Sequence, residues 1–225
     1  TAGVDTLTGT ANDDTFTAGL SADANGAANV ETLSAFDSIE GGAGTDTLKA
    51  FAVGAFSVPS SATISNVENI VLQGDNAITA DIQNNVSGAK SLSVKAGGAV
   101  DIDTKANVAS VSVLDATTVN IDDNGSATTT ADTLASVSIK SHTTAATVNS
   151  DALTSLSLAD AAVGATATVT GAHKLDLSLS KMTGGTVTDN TASTVNVATT
   201  GATSTGVTLA AGEATAVTVN ADEKL

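Results

Sequence analysis

Gly41-Gly42-Ala43-Gly44-Thr45-Asp46-Thr47-Leu48-Lys49 is the stretch that decides how the rest of the chain reads. It follows the pattern G-G-x-G-x-D-x-U-x, in which U is a large apolar residue. Glycine enters left-handed backbone conformations without steric penalty, so Gly42 and Gly44 allow a tight turn that aims successive carbonyl oxygens at one point. Asp46 adds a carboxylate to them, and a calcium ion favours six to eight oxygen ligands. Leu48 then opens a short strand directed into a core. The expected unit is a turn, an ion and a strand.

The triplet Asp46-Thr47-Leu48 has echoes. Asp37-Ser38-Ile39 lies nine residues upstream; Asp14-Thr15-Phe16 and Asp5-Thr6-Leu7 form a second pair, again nine apart. Thr10 and Asn12 occupy the turn ahead of Asp14, with Asn12 in the place of a glycine. Asn is the usual non-glycine visitor to the left-handed region, so Asn12 is expected to adopt it. The candidate Ca²⁺ ligands are therefore Asp5, Thr10, Asn12, Asp14, Asp37, Gly42, Gly44 and Asp46. Between the pairs, residues 17–36 are polar and rich in Ala and Asn. They read as a loop, a solvated excursion or, through Asp23, Asn25, Asn29 and Glu31, a set of oxygens for a second ion.

Downstream, apolar-x-apolar pairs recur: Ile70/Leu72, Leu92/Val94, Val111/Val113, Val137/Ile139, Leu156/Leu158, Leu175/Leu177, Val195/Val197 and Val217/Val219. Successive second members stand 22, 19, 26, 19, 19, 20 and 22 residues apart. Companion alternations follow most of them, at Val100/Ile102, Val119/Ile121, Ala146/Val148, Ala167/Val169 and Val207/Leu209. Period-two alternation marks half-buried strands. Self-similarity at about twenty residues marks a solenoid, whose coils bury their apolar faces only by stacking. The 26-residue step carries Asp122-Asp123-Asn124-Gly125 and Asp132, an insertion expected to bulge as a surface loop with a turn at Asn124-Gly125. Residues 51–63, with the chain's single proline at Pro59, read as a connection between the two regions. An antiparallel sandwich would also give many short strands; the recurrence of like residues at like positions favours stacked coils.

Composition agrees. The 225 residues include no Cys, Trp, Tyr or Arg, and the last of four Phe is Phe56. A core of Val, Ile, Leu and Ala suits a narrow stack with no room for rings. Eight lysines face 24 acids, for a net charge of −16. That balance argues against nucleic acid and anionic membrane surfaces, which call for clustered Lys and Arg. No apolar run approaches the ~20 residues of a membrane span, so no membrane insertion is expected. Thr1-Ala2-Gly3 carries neither a Met nor a signal peptide and reads as the start of an excised piece.

Enzyme signatures are absent from the sequence: there is no G-x-S-x-G, H-E-x-x-H or phosphate-cradling loop. His142 and His173 read as surface residues at strand ends. Asp101 and Asp103 alternate with Val100 and Ile102 and read as a solvated outer face, not as paired catalytic carboxylates. The 37 threonines read as strand-favouring β-branched residues, with too irregular a ladder for ice binding.

Asp5 to Phe16, together with Gly41 to Leu48, resembles RTX-type repeats. Ile64-Ser65-Asn66-Val67-Glu68-Asn69-Ile70 and the Thr/Ser/Ala/Val-rich strands behind it look like the surface-layer proteins of Gram-negative bacteria such as Caulobacter. The resemblance implies export by type I secretion and calcium-dependent assembly into a two-dimensional lattice on the cell surface. The expected fold is all-β: a right-handed parallel β-solenoid (β-helix) with an N-terminal RTX-like β-roll portion, residues 1–50 binding calcium and residues 51–225 continuing as coils. The expected function is structural and non-enzymatic. Expected partners are copies of the chain itself, with cell-surface polysaccharide engaged through parts of the protein outside this sequence. A rigid spacer of an RTX adhesin is the alternative, and a β-helical polysaccharide-active enzyme the third reading.

Overall fold

Each Asp-x-apolar triplet is where a strand starts. Strands Thr6–Thr8, Thr15–Ala18, Ser38–Glu40 and Thr47–Ala52 open at the residue after Asp5, Asp14, Asp37 and Asp46. These assignments come from a computed structural model, which describes every residue except 2, 23–25, 27, 28, 105, 106, 124–130 and 222–225.

The described residues form a β-solenoid built from three stacked parallel sheets. A ten-stranded sheet runs from Thr15–Ala18 to Ala216–Ala221, and an eight-stranded sheet from Phe56–Ser57 to Thr208–Ala210. A three-stranded sheet of Thr6–Thr8, Ser38–Glu40 and Thr63–Ser65 flanks the N-terminal coils. Successive strands alternate between the sheets, so each hydrogen-bonds to its counterpart one coil away. Parallel pairing of this kind needs a long return path between partners, and here the opposite sheet supplies it.

Inward columns explain the register. Phe16, Leu48, Ile70, Leu92, Val111, Val137 and Leu156 are direct neighbours on seven adjacent strands. Across from them, Ile78, Val100, Val119, Ala146, Ala167 and Val187 form a second column. Both feed one continuous core extending from Leu33 to Val197. Each fully buried aliphatic side chain contributes ~1.5–3 kcal/mol, and slipping a strand by one residue would expose its whole set.

At the exit of the ten-stranded sheet, Asp115, Ser141, Asp160 and Lys181 all hold positive φ, at 63°, 63°, 50° and 56°. Their N–H groups donate to the next coil; Asp115 to the Lys140 carbonyl and Ser141 to the Ala159 carbonyl, for example, at 3.0 and 2.9 Å. This stacked left-handed corner swings the chain from one sheet to the other.

Four sequence expectations need correction. Residues 51–63 are not a mere connection: they finish one strand and contribute Phe56–Ser57 and the start of Thr63–Ser65, with Pro59 in a tight turn closed by Ala62. Two-residue strands are too short to display alternation. The excursion after residue 18 contains an antiparallel pair, Leu20–Ser21 with Val30–Glu31. The Leu175/Leu177 pair does not follow Leu156/Leu158 in register. Leu156 and Leu158 sit against Leu177 and Leu179, while Leu175 and Leu177 sit against Val195 and Val197. The seven-residue strand Lys174–Ser180 has three inward leucines, so its sequence alone fits two registers. Finally, His142 is fully buried, whereas His173 is exposed.

Candidate functional site

The turns Gly9–Asp14 and Gly41–Asp46 lie one above the other in adjacent coils. The Ala43 N–H donates to the Thr10 carbonyl at 3.1 Å, and the Thr45 N–H to Asp13 Oδ1 at 2.7 Å. Gly42 and Gly44 hold φ of 100° and 125°, the left-handed backbone expected of them. Asn12 is absent from the positive-φ residues, whereas Asn29, Asn66 and Asn107 turn left-handed, at φ 61°, 50° and 97°. Thr10 closes its own turn by donating from N and Oγ1 to Asp14 Oδ2 at 2.6 and 2.9 Å, and the Asn12 N–H donates to Thr10 Oγ1.

The acids form a ladder along the stack. The Asp14 N–H donates to Asp46 Oδ1 at 2.7 Å, and the Asp46 N–H donates to Glu68 Oε2 at 2.9 Å. Each carboxylate thus takes the backbone donor of the acid one coil before it. Glu68 is a third rung, not among the candidate ligands above, and Glu68-Asn69-Ile70 repeats the acid-x-apolar triplet one coil after Asp46. Glu40 ties coils together too, accepting from Ser65 Oγ and from Asn66 Nδ2. These donors hold the Glu40 carboxyl below its ordinary range.

The two pairs differ in what they leave free. Asp37 accepts the Asp5 N–H and both the N–H and hydroxyl of Ser34 at 2.7–3.1 Å, so each of its oxygens is engaged. Asp5 turns its carboxylate to the Thr1 hydroxyl at 3.1 Å. Asp46 is 0% exposed, and its Oδ2 has no hydrogen-bond partner. Burying a carboxylate oxygen without a donor is costly. The same oxygen lies 2.6 Å from the point a Gly41 Cβ would occupy, and the Asn66 carbonyl oxygen 1.7 Å from it. At Gly9 the arrangement repeats: the Gly41 carbonyl oxygen and Asp14 Oδ2 stand 1.9 and 2.9 Å from the absent Cβ. A glycine is therefore required at both places by close approach.

Among the described residues no three His, Asp or Glu side chains gather as a metal cluster. A cation here would instead draw on carbonyls together with one carboxylate. That all-oxygen set suits a hard ion such as Ca²⁺, and the orphaned Asp46 oxygen is the donor left to receive it. The residues fit calcium in the Asp14–Asp46 turns; at Asp37 the carboxylate is already satisfied.

Of the other candidates, Asp23, Asn25, Asn124 and Gly125 lie outside the described residues. Glu31 Oε1 accepts the Val53 N–H at 3.1 Å. Asp123, 2% exposed, accepts from Thr104 Oγ1, Thr133 N, Leu134 N and Ser150 Oγ, pinning the end of the insertion to the core. Asp101 faces outward, as expected, and so does Asp103, which is only partly covered. Its outward neighbours Asp81 and Asp122 stack on it in register. Burial, then Asp101, Asp81 and Asp122, push the Asp103 carboxyl up. Thr147, Thr168 and Thr188 stack on the same face, but the column continues as Asn120 and Asp101 in one direction and Ala210 in the other. The sequence matches no protein-family model and no curated protein.

Proposed function

We propose that this chain is a non-enzymatic structural segment of a secreted bacterial surface-layer protein, stabilised by calcium and assembling with copies of itself on the cell surface. The observation that carries the calcium part is the buried Asp46 oxygen, left without a donor inside two stacked glycine turns. Asp46, Asp14 and carbonyls packed against these turns, such as that of Asn66 in the following coil, would hold the ion. Bound there, Ca²⁺ supplies positive charge and oxygen coordination. The chain's own contribution is to bring the turns of successive coils into contact and to seat each carboxylate on the backbone of its neighbour. The structural part rests on the uninterrupted parallel stack and on the resemblance of its N-terminal turns to RTX repeats.

Extracellular calcium modules bind at about 10⁻⁴–10⁻³ M, so a millimolar medium loads the turns and the cytosol does not. Calcium titration followed by circular dichroism and light scattering tests the reading. The expected outcome is a rise in β-structure and in scattering across that range, lost in Asp46→Ala and weakened in Asp14→Ala. A calcium-stiffened monomer that never associates would instead favour the adhesin spacer. Indifference of both signals to calcium would overturn the proposal.

A further inference from the structure

The two broad faces of the solenoid carry opposite charge. On the outer face of the ten-stranded sheet, Lys49, Lys95, Lys140 and Lys174 point outward, with Asp176 as the one acid on its described strands. The four lysines lie on every second strand; Lys95 and Lys140 share one column, ~9.5 Å apart along the stack, while Lys49 stands two residues and Lys174 six residues across the sheet from it. The eight-stranded sheet turns out Asp81, Asp101, Asp103 and Asp122 from three consecutive strands, and no lysine lies on its described strands. In a chain with only eight lysines against 24 acids, this segregation leaves one basic face on an acidic molecule. Because both sheets enclose the same core, the basic and acidic faces look in opposite directions.

We propose that the outer face of the ten-stranded sheet of one copy docks on the outer face of the eight-stranded sheet of a second copy, lysines against aspartates. This rests on the self-assembly reading above and names the surfaces that perform it. Size permits it: eight strands of about four residues present a footprint of ~500 Å², or ~1,000 Å² over both partners, the lower bound for a specific interface. Shape permits it too. Between the lysines the basic face carries in-register serines, Ser93, Ser112, Ser138 and Ser157 among them, whose short side chains let a second sheet approach. Lys95 reaches Asp115 at 3.7 Å with both side chains about half exposed, where such a pair holds weakly; Lys140 reaches Asp160 at 3.4 Å, an aspartate only 28% exposed that Lys181 also pairs at 3.0 Å. Two different faces meeting make a heterologous contact. Such a contact repeats without closing when no rotation brings it back on itself, so the product is a layered row of solenoids.

The test uses the 225-residue chain with calcium present, at low and at about 0.5 M salt, where the Debye length falls to a few ångströms. Sedimentation velocity and light scattering are compared for wild type, Lys95→Glu/Lys140→Glu and Asp101→Lys/Asp103→Lys, with circular dichroism confirming that each variant folds. Wild type is expected to associate at low salt and to come apart at high salt. Each variant alone should associate at least tenfold more weakly, and a 1:1 mixture of the two should regain association, since each then offers a face complementary to the other. Association that ignores both charge reversals overturns this pairing of faces but leaves self-assembly standing. Wild type that stays monomeric throughout removes both.

Discussion

The backbone N–H of Asp14 donates to Oδ1 of Asp46, 2.7 Å away and 32 residues further along the chain. One carboxylate thereby joins two coils through the backbone, and its other oxygen stays buried without a partner. Replacing Asp46 by Ala orphans the Asp14 N–H, a loss of about 1–3 kcal/mol readable by urea denaturation. Asp37→Ala, which orphans the Asp5 and Ser34 donors, is expected to lose a similar amount. Only the Asp46 variant should also lose any stabilisation that calcium confers.

Gly41 and Gly54 make a matched pair for the close-approach argument. A Cβ on Gly41 would meet the Asn66 carbonyl oxygen at 1.7 Å, whereas one on Gly54 meets nothing within 4 Å. Gly41→Ala must push one coil away from the next and is expected to cost more than ~3 kcal/mol, in the range of severe overpacking. Gly54→Ala should be neutral or stabilise by up to ~1 kcal/mol through the unfolded state. Thermal denaturation of the two variants side by side checks the difference.

His142 gives the fold a pH limit. Burial pushes its pKa below the ordinary 6.5, opposed by the Thr166 carbonyl, which lies 3.3 Å from Nε2. Nδ1 has no partner, so the neutral ring leaves only a lone pair unsatisfied, while the protonated ring would bury an unpaired N–H. The unfolded chain takes up that proton as pH falls through about 6.5 and the folded chain does not. Stability contributed by the neutral ring is therefore full above that pH and declines below it. Denaturation midpoints measured from pH 7.5 down to 5 should fall for wild type and lose that component in His142→Leu.

Asp103 works in the other direction. Burial first, and then Asp101, Asp81 and Asp122, raise its carboxyl above the usual 3.8. The folded state then protonates before the unfolded one, so the strain of this column is present above the raised value and is relieved as pH falls through it. Like charges directly opposite one another on neighbouring strands are unfavourable. Asp103→Asn should raise the melting temperature slightly at pH 7, and Asp101→Asn should bring the Asp103 titration, followed by NMR, closer to its ordinary position.

The solenoid was legible because its coils repeat chemistry at matching positions: Ser91-Leu92-Ser93 and Ser110-Val111-Ser112 are both spaced and stacked as the sequence implies. Strand starts were legible from the Asp-x-apolar triplets. The register of Lys174–Ser180 was not, since three alternating leucines fit two alignments. Neither was the burial of His142, which follows a left-handed Ser141 that rotates it inward; nothing in the local pattern announces that corner. At the candidate site the stacking of Asp14 on Asp46 followed from the repeat. The saturation of Asp37 depended on Ser34, at the variable third position of the nine-residue pattern, and Glu68 on the triplet one coil beyond the last complete turn.

Amide hydrogen exchange resolved along the chain, with and without millimolar calcium, shows whether the ion orders the turns that hold Asp14 and Asp46. If the glycine turns clasp the ion and order the N-terminal coils, amides such as those of Asp14, Ser38 and Thr47 gain protection of at least about tenfold with calcium, in keeping with a stabilised local unit. Amides from Ser91 onward change little, and Asp46→Ala abolishes the gain. Equal protection in both conditions at Asp14 and Thr47 would contradict the account.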